Sequence, residues 1–326
     1  MRVLQVCNVG RIVGGTAACA WTVARSLPGC EHTVAFLSRI ADDTRRAFPG
    51  CRIVQWDRAN SGRVREIDPD LVVLHNTSRN RVEGRLPAVA LQYLHSRIDP
   101  APADRTLYCS AWLAEQYGGS ADDVLLQAVP RPKRPDQFMG DTRALRDSPV
   151  IGRLCTPTRA KWPDEVVPFY AGLASRFPQV RWEFVGCPET LQGEFQSACG
   201  GRAEFFPAGW EMRSRLWHWD ALLYHNGSVT ESFGRTVAEA MRAGCIPIVD
   251  DRGGFREQVE PSCGFLCRRP EDFADAVARI HAPAVRRRMS RACQAHADQR
   301  FSLDRFGRDL VERLRAMVTE GQLGQH

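Results

Sequence analysis

This chain of 326 residues has no long apolar run and no export segment. A membrane-spanning helix needs roughly 18 consecutive apolar residues, and none of the runs approaches that length. The N-terminus passes from Met1 and Arg2 straight into a short apolar segment, without the long apolar stretch and small-residue cleavage site of a signal peptide. We therefore expect a cytoplasmic protein.

Metal-binding spacings are also missing, although cysteine is common. None of the 12 cysteines lies in a Cys-x-x-Cys pair, and the closest two are Cys263 and Cys267. A zinc site needs four ligands grouped in close pairs. The one Asp-x-Asp spacing, Asp68 to Asp70, precedes a predicted strand, whereas ligands of open α/β sheets bind beyond the carboxyl ends of strands. The sequence thus predicts buried, reduced thiols, no metal and no cofactor.

Lysine is scarce. Lys133 and Lys161 are the only lysines among 44 basic residues, so 44 − 2 = 42 are arginine. Against 38 acidic residues this leaves a net charge of +6 and a pI of about 8.8. Such a modest excess suits an anionic ligand such as a nucleotide and is too small to predict nucleic-acid binding.

The order of predicted helices and strands indicates an α/β fold with parallel sheets. Short apolar runs such as Val3 to Cys7 and Leu71 to His75 alternate with segments of helical pattern. Three prolines between Pro130 and Pro135 interrupt this alternation, and the chain is long enough for two cores. We predict a Rossmann-like domain over residues 1–133, a linker over 134–147, a second Rossmann-like domain over 148–300 and a final helical segment over 301–326.

The most informative segment follows a predicted strand and opens a helix. It begins T-E-S-F-G-R-T at Thr230, and backbone N–H groups at a helix start bind a diphosphate well. The residues expected at this start are Ser232, Phe233, Gly234, Arg235 and Thr236. Glu239, one turn further along, can reach a ribose, and Glu231 can face a sugar beyond the diphosphate. The alternative is that both glutamates are ordinary solvated carboxylates.

The two glutamates flank seven residues, and A-G-C-I-P-I-V and G-G-F-R-E follow from Ala243 and Gly253. This combination resembles the donor-binding element of the GT-B retaining glycosyltransferases, the family-4-like or group 1 glycosyl transferases. The resemblance implies two Rossmann-like domains with parallel sheets facing across a cleft. It also implies that the first domain binds the acceptor, that the second binds a nucleotide-sugar donor, and that the final helix crosses back to the first domain.

Other family landmarks occur in the expected order. Ile151 to Leu154 with Lys161 resembles the "G-R-L … K-G" segment, which implies that Arg153 and Lys161 hold the donor diphosphate. Trp162 departs from the family glycine, and the alternative for the basic pair is a solvated surface role. Gly186 resembles a strand-end turn beside the nucleotide base, although an ordinary βα turn is the alternative.

In the first half, Gly14 and Gly15 resemble the glycine pair that lies beside the donor phosphate, with a plain turn as the alternative. They do not form the Gly-x-Gly-x-x-Gly of a dinucleotide enzyme. His95 resembles the active-site histidine that lies near the anomeric carbon. His75 and Asn76 end a strand that faces the acceptor in the family, and the alternative for His75 is a structural histidine.

The sequence therefore predicts a metal-independent retaining glycosyltransferase. The residues expected to act on the transferred sugar and the leaving diphosphate are His95, Glu231, Arg153 and Lys161. The acceptor is a glycan, a lipid-linked molecule or a small molecule, and the arginine-rich residues 284–289 give no support for a membrane-surface role. Two alternatives stay open: a nucleotide-sugar epimerase on the same fold, and a non-catalytic partner of another glycosyltransferase.

Overall fold

The computed structural model describes residues 1–13, 15–138 and 146–323. The chain forms two compact units, each with its own parallel sheet. The first unit combines Met1–Val129 with the segment that begins at Phe301, and the second is Pro130–Arg300. The division falls between Val129 and Pro130, four residues before the predicted start of the linker, and residues 139–145 of that linker lie outside the described part of the chain. No described helix is long and apolar enough to cross a membrane.

The first unit is built on six parallel strands with a short two-stranded pair beside them. The strands are β1 (Arg2–Cys7), β2 (Glu31–Phe36), β3 (Arg52–Gln55), β4 (Ala59–Asn60), β5 (Leu71–His75), β6 (Val82–Glu83), β7 (Val89–Leu94) and β8 (Arg105–Tyr108). The main sheet has the order β3-β2-β1-β5-β7-β8, and β4 pairs with β6. Its central strands are almost wholly buried because a parallel sheet is covered on both faces.

Three helices lie between these strands, α1 (Gly15–Ser26), α2 (Asp42–Ala47) and α3 (Ser61–Ile67), and α4 (Ala111–Glu115) follows β8. Side-chain caps fix the residues at which α3 and α4 begin. The side chain of Asn60 accepts from the Arg63 N–H at the start of α3, and that of Ser110 accepts from the Leu113 N–H at the start of α4. Such caps satisfy backbone N–H groups that the helix itself leaves without partners.

The second unit repeats the architecture with the strands β9 (Val150–Leu154), β10 (Arg181–Val185), β11 (Ala203–Phe206), β12 (Ala221–Tyr224), β13 (Ile246–Asp250) and β14 (Phe265–Cys267). Their order is β11-β10-β9-β12-β13-β14. The helices are α5 (Val166–Arg176), α6 (Glu189–Ala198), α7 (Arg235–Arg242), α8 (Phe255–Gln258), α9 (Pro270–Ile280) and α10 (Pro283–Arg300). The predicted pair of parallel-sheet α/β domains is confirmed.

The last helix, α11 (Leu303–Leu323), belongs to the first unit and packs on α1. The approach is close at Gly307, where a Cβ atom would lie 2.6 Å from the carbonyl oxygen of Ser26. The Val129 N–H donates to the Phe301 carbonyl at 3.1 Å. This hydrogen bond joins the end of the first segment of the unit to the start of its second segment.

The strand order places a topological switch point in each sheet. All strands are parallel, but the order in which successive strands are added changes direction between β1 and β5 in the first sheet and between β9 and β12 in the second. Loops diverge at the carboxyl ends of such strands, and ligands of open α/β sheets bind there. In the second unit the loops after β9 and β12 carry Lys161 and Glu231, so the topology brings these predicted site residues to one edge.

Candidate functional site

The start of α7 is shaped by a glycine in the left-handed region. Gly234 has φ +86° and caps the helix. A Cβ atom on Gly234 would lie 2.3 Å from the ring of Phe255, so both the backbone conformation and the space require glycine. Ser232, Arg235 and Thr236 are partly exposed around this turn. The helix start is therefore open to an anion, as the sequence predicts.

A second glycine pair supports the loop that leads into α7. The Gly254 N–H donates to the Glu231 carbonyl at 2.9 Å. A Cβ on Gly253 would lie 2.4 Å from that same carbonyl oxygen, and a Cβ on Gly254 would lie 2.2 Å from the carbonyl oxygen of Ser232. The side chain of Gln258 donates to the carbonyl of buried Phe233. The G-G-F-R-E segment thus holds the shape of the loop that leads into α7 by close backbone contact.

Glu239 is completely buried, which excludes the solvated-carboxylate alternative for this residue. Its Oε2 accepts from Arg213 Nε at 2.8 Å, and the Arg213 guanidinium lies 4.2 Å from the ring centre of Trp210. Arg235 approaches Oε1 to 3.9 Å, which is beyond hydrogen-bond distance. Within the described chain, Oε1 has no hydrogen-bond partner. A buried carboxylate oxygen in this state is suited to a hydroxyl group from a ligand.

Glu231 and Lys161 are in contact although 70 residues separate them. The Lys161 Nζ reaches Oε1 of Glu231, and the Tyr224 hydroxyl donates to the same oxygen at 2.6 Å. Burial and the Glu231 carboxylate raise the pKa of Tyr224, so its hydroxyl keeps the proton that it donates. Both charged side chains are partly exposed, at 27% for Lys161 and 20% for Glu231. The structure therefore presents an ammonium and a carboxylate together at the carboxyl edge of the sheet.

Arg153, which the sequence predicts to hold the diphosphate, has a wholly buried side chain. Its two terminal nitrogens donate to the carbonyls of His225 at 2.9 Å and Lys161 at 2.7 Å. The guanidinium also lies between two rings, 5.0 Å from the centre of Trp162 and 4.8 Å from that of Tyr224. Arg153 thus ties the loop after β9 to the loop after β12.

Trp162, which stands where the family has glycine, completes this arrangement. It is buried, its Nε1–H donates to the Thr156 carbonyl at 3.1 Å, and its ring packs edge-on against Phe184 and Phe195. The tryptophan therefore anchors the loop that carries Lys161 and supplies one of the two rings around Arg153.

The segment after β12 is closed by residues that sequence reasoning did not assign to the site. Buried Asn226 accepts from the Ser228 and Val229 N–H groups at 3.0 and 2.8 Å and donates to the Ala160 carbonyl at 2.8 Å. Asp250, at the end of β13, accepts from the Asn226 N–H at 2.9 Å and pairs with His225 at 2.7 Å. No motif pointed to these two residues, although Asp250 ends a strand beside β12.

The remaining residues that the sequence predicts to bind the nucleotide-sugar are glycines. Gly186 has φ +75°, and a Cβ there would lie 2.1 Å from the Cys155 carbonyl oxygen, so this turn after β10 requires glycine. Gly15 begins α1 with open space beside it. Gly14 lies outside the described residues. Within the described chain, no group of three or more metal-binding side chains is present.

In the first unit, His75 and Asn76 do not face outward as predicted. His75 is fully buried, and burial lowers its pKa to about 3, so its ring is neutral. Asn76, also buried, has φ +50°, and its Oδ1 accepts from the N–H groups of His95 and Ser96 at 3.0 Å each. Both side chains are held inside the unit and contact His95, which is partly exposed.

Comparison with known proteins agrees with this geometry. Residues 159–295 match the family model described as glycosyl transferases group 1. This segment is similar to the group 1 glycosyltransferases. It contains Lys161, Glu231, Glu239 and the glycine-supported loop, so the family resemblance drawn from those motifs is confirmed. A comparison with curated protein sequences found no match.

Solved structures extend the likeness in fold to both units. HepE from Anabaena, in complex with UDP-glucose, has a TM-score of 0.74 at 18% identity, covering 97% of this chain and 100% of that one. Sucrose-phosphate synthase from Thermosynechococcus elongatus has a TM-score of 0.74 at 14% identity, covering 98% of this chain and 100% of that one. A glycosyltransferase from Rickettsia africae has a TM-score of 0.73 at 14% identity, covering 97% of this chain and 98% of that one. At these identities the likeness establishes the GT-B fold alone, which the sequence predicted.

Proposed function

We propose that this protein transfers a sugar from a nucleotide-sugar to an acceptor, with retention at the anomeric carbon and without a metal. The second unit binds the donor in this proposal, and the first unit binds the acceptor. Similarity to the group 1 glycosyltransferases over residues 159–295 supports the reaction class. HepE, which shares the fold, is in complex with UDP-glucose, which makes UDP-sugars the first donors to test.

The observation that carries the proposal is the orphan oxygen of Glu239. Its Oε2 is held by Arg213, while Oε1 is buried without a hydrogen-bond partner in the described chain. A ribose hydroxyl would supply the missing donor, because Glu239 lies one turn beyond the anion-binding start of α7. An unmatched buried carboxylate oxygen costs about 1–3 kcal/mol, so a ligand that satisfies it binds favourably.

Lys161 and Glu231 take the roles at the transferred sugar. When a diphosphate is present, the Lys161 ammonium can move from the carboxylate to the leaving phosphate and stabilise the charge that develops there. Glu231, released from the ammonium and still held by Tyr224, then orients the sugar. Arg153 contributes indirectly, since it fixes the loop that carries Lys161. The leaving phosphate itself accepts the proton of the acceptor.

A ligand screen tests the donor site directly. We expect UDP and UDP-sugars to raise the melting temperature more than GDP- or dTDP-sugars, because a ligand that binds only the folded state stabilises it. Calorimetry with Glu239→Gln should then show weakened UDP binding. Glu194→Gln, which changes an exposed glutamate on α6, is the matched control and should bind UDP as the wild type does. Equal UDP affinity in the two variants would remove Glu239 from the site.

Product analysis tests the reaction. The α anomer of glucose should appear first when UDP-glucose is hydrolysed, as observed by NMR, and early β anomer would contradict retention. Release of an altered UDP-sugar would instead identify an epimerase.

Turnover should be unchanged in excess EDTA, because Lys161 and the start of α7 supply positive charge. Loss of turnover in EDTA that magnesium or manganese restores would overturn the metal-free mechanism.

A further inference from the structure

Five polar side chains form one hydrogen-bonded chain through the sheet of the first unit. His32 lies on β2, Gln5 on β1 and His75 on β5, while His95 follows β7 directly. Gln127 belongs to the segment beside the end of β8, where its backbone N–H donates to the Cys109 carbonyl at 3.3 Å. Five neighbouring positions in the sheet order each contribute one residue. His95 is the only one of these five residues that is partly exposed.

Each step of the chain has hydrogen-bond geometry. The successive pairs are Gln127 Nε2 with His95 Nδ1 at 3.2 Å, His95 Nε2 with His75 Nδ1 at 3.2 Å, His75 Nε2 with Gln5 Oε1 at 2.8 Å, Gln5 Nε2 with His32 Nδ1 at 3.4 Å and His32 Nε2 with the Leu27 carbonyl oxygen at 3.0 Å. The rings of His75 and His95 are also stacked, with centres 5.5 Å apart.

The carbonyl at the inner end determines the direction of every bond. A carbonyl oxygen only accepts, so His32 Nε2 carries the proton that it shares with Leu27. Burial lowers the pKa of His32, so its ring is neutral and its Nδ1 must accept. The amide nitrogen of Gln5 must therefore face His32, which leaves the Gln5 oxygen to accept from His75.

The same logic continues to His95. Because neutral His75 donates through Nε2, its Nδ1 accepts, and the proton between the two rings belongs to His95 Nε2. Gln127 Nε2 is a donor, and it also lies 2.6 Å from the Cys19 sulfur. A proton on His95 Nδ1 would therefore face another donor. Only one pattern of protons satisfies all five bonds.

We propose that this chain holds His95 as the neutral Nε2–H tautomer and that His75, Gln5 and Gln127 are positioning residues for its ring. Asn76 adds a second restraint, since its Oδ1 holds the His95 backbone N–H. The assignment of a role beside the sugar to His95 rests on the proposed function, whereas the tautomer does not. His95 then acts as a neutral, oriented ring and supplies no proton to the reaction.

Nitrogen NMR of the ligand-free protein labelled at histidine tests the tautomer. A protonated ring nitrogen and an unprotonated one resonate far apart, and the His95 signals are assigned by their loss in His95→Gln. We expect Nε2 protonated and Nδ1 unprotonated. His281 of the second unit is the internal contrast, because its Nδ1 faces the Val277 carbonyl at 2.8 Å and must carry the proton. A His95 protonated at Nδ1, alone or with Nε2, overturns the proposal.

Gln127→Glu tests the direction of the chain. A carboxylate only accepts, so His95 Nδ1 should gain a proton and the ring should become doubly protonated. A folded Gln127→Glu protein with an unchanged His95 pattern would contradict the proposal. If this variant does not fold, the wild-type spectrum still decides, since the tautomer is read there without any substitution.

Gln5→Met tests the positioning role through activity. Loss of the Gln5 amide should give His95 a mixture of tautomers and lower kcat for UDP-glucose hydrolysis by about 10- to 100-fold, with a smaller change in KM. A merely structural role predicts lower stability with an unchanged His95 pattern and kcat, which would contradict the proposal. Absence of hydrolysis in the wild type, together with the expected tautomer, would count against the proposed function alone.

Discussion

Two buried side chains, His75 in the first unit and Glu239 in the second, use their hydrogen-bonding atoms in opposite ways. In the first, His75 uses both ring nitrogens within a continuous hydrogen-bonded chain. In the second, Glu239 uses one carboxylate oxygen and leaves the other buried without a hydrogen bond in the described chain. A satisfied network stabilises one arrangement of its members, whereas an unsatisfied carboxylate oxygen is suited to a ligand that completes it. The comparison separates residues that we propose to position a neighbour from a residue that we propose to bind a ligand.

The largest effect is expected from Glu239→Ala, which leaves the Arg213 guanidinium without its carboxylate. Breaking a buried pair costs about 3–5 kcal/mol, so urea unfolding should show a large loss of stability and calorimetry should show no UDP binding. The double variant Glu239→Ala/Arg213→Met should regain most of the stability but no UDP binding. Recovery of UDP binding in the double variant would argue that Glu239 serves only as the partner of Arg213.

Lys161→Ala is expected to lower kcat for sugar transfer by about 100-fold with a smaller change in KM, because the charge on the leaving phosphate develops in the transition state. Lys133, the only other lysine, is exposed, and Lys133→Ala is the matched control. Steady-state kinetics with UDP-glucose measures both. Wild-type turnover in Lys161→Ala would identify the Lys161–Glu231 pair as a surface feature.

Gly254→Ala should destabilise the second unit by about 1–3 kcal/mol and weaken UDP binding, because its Cβ would lie 2.2 Å from the Ser232 carbonyl oxygen. Gly193→Ala on α6 is the control, since a Cβ there meets nothing within 4 Å. That change should raise stability by up to about 1 kcal/mol. Urea unfolding compares the two alanine variants, and equal stabilities would contradict the supporting role of Gly254.

The smallest effect is a pH dependence from His75, whose pKa falls from 6.5 to about 3 on folding. Below pH 6.5 the unfolded chain binds a proton that the folded protein does not, so this contribution to stability is complete above pH 6.5 and is lost as the pH falls. Near pH 5.5 the loss should be about 1.4 kcal/mol. His75→Gln should show a shallower fall of unfolding free energy than the wild type, and equal slopes would contradict a neutral His75.

Much of the fold follows from local pattern. Alternating apolar and helical segments predict parallel sheets, and the structure has two of them, with six strands each. The loop that leads into α7 could also be recognised as a candidate site, because Glu231, Glu239 and the glycines of G-G-F-R-E lie close in sequence. Positions 234 and 254 require glycine, because the Cβ atom of any other residue would clash with a neighbouring atom. Such requirements leave a direct trace in the sequence.

The partners of the charged and polar residues left no such trace. Arg213 is one of 42 arginines, and nothing in its sequence neighbourhood indicates that it binds Glu239. Gln5 and Gln127 lie in segments that read only as strand and loop. Their roles depend on neighbours that come from distant parts of the chain, which periodicity and motif spacing cannot reveal.

The sequence by itself determined the alternation of elements, the glycines that the loop leading into α7 requires and the family resemblance of residues 159–295. The tertiary structure decided which polar residues are buried and which of their atoms find hydrogen-bond partners. The sequence predicts binding roles for Arg153 and His75, and in the structure each is wholly buried and bonded to residues up to 72 positions away. The physical reason is that burial and hydrogen bonding are properties of the folded neighbourhood. Adjacent strands of a parallel sheet create that neighbourhood from segments far apart in the chain.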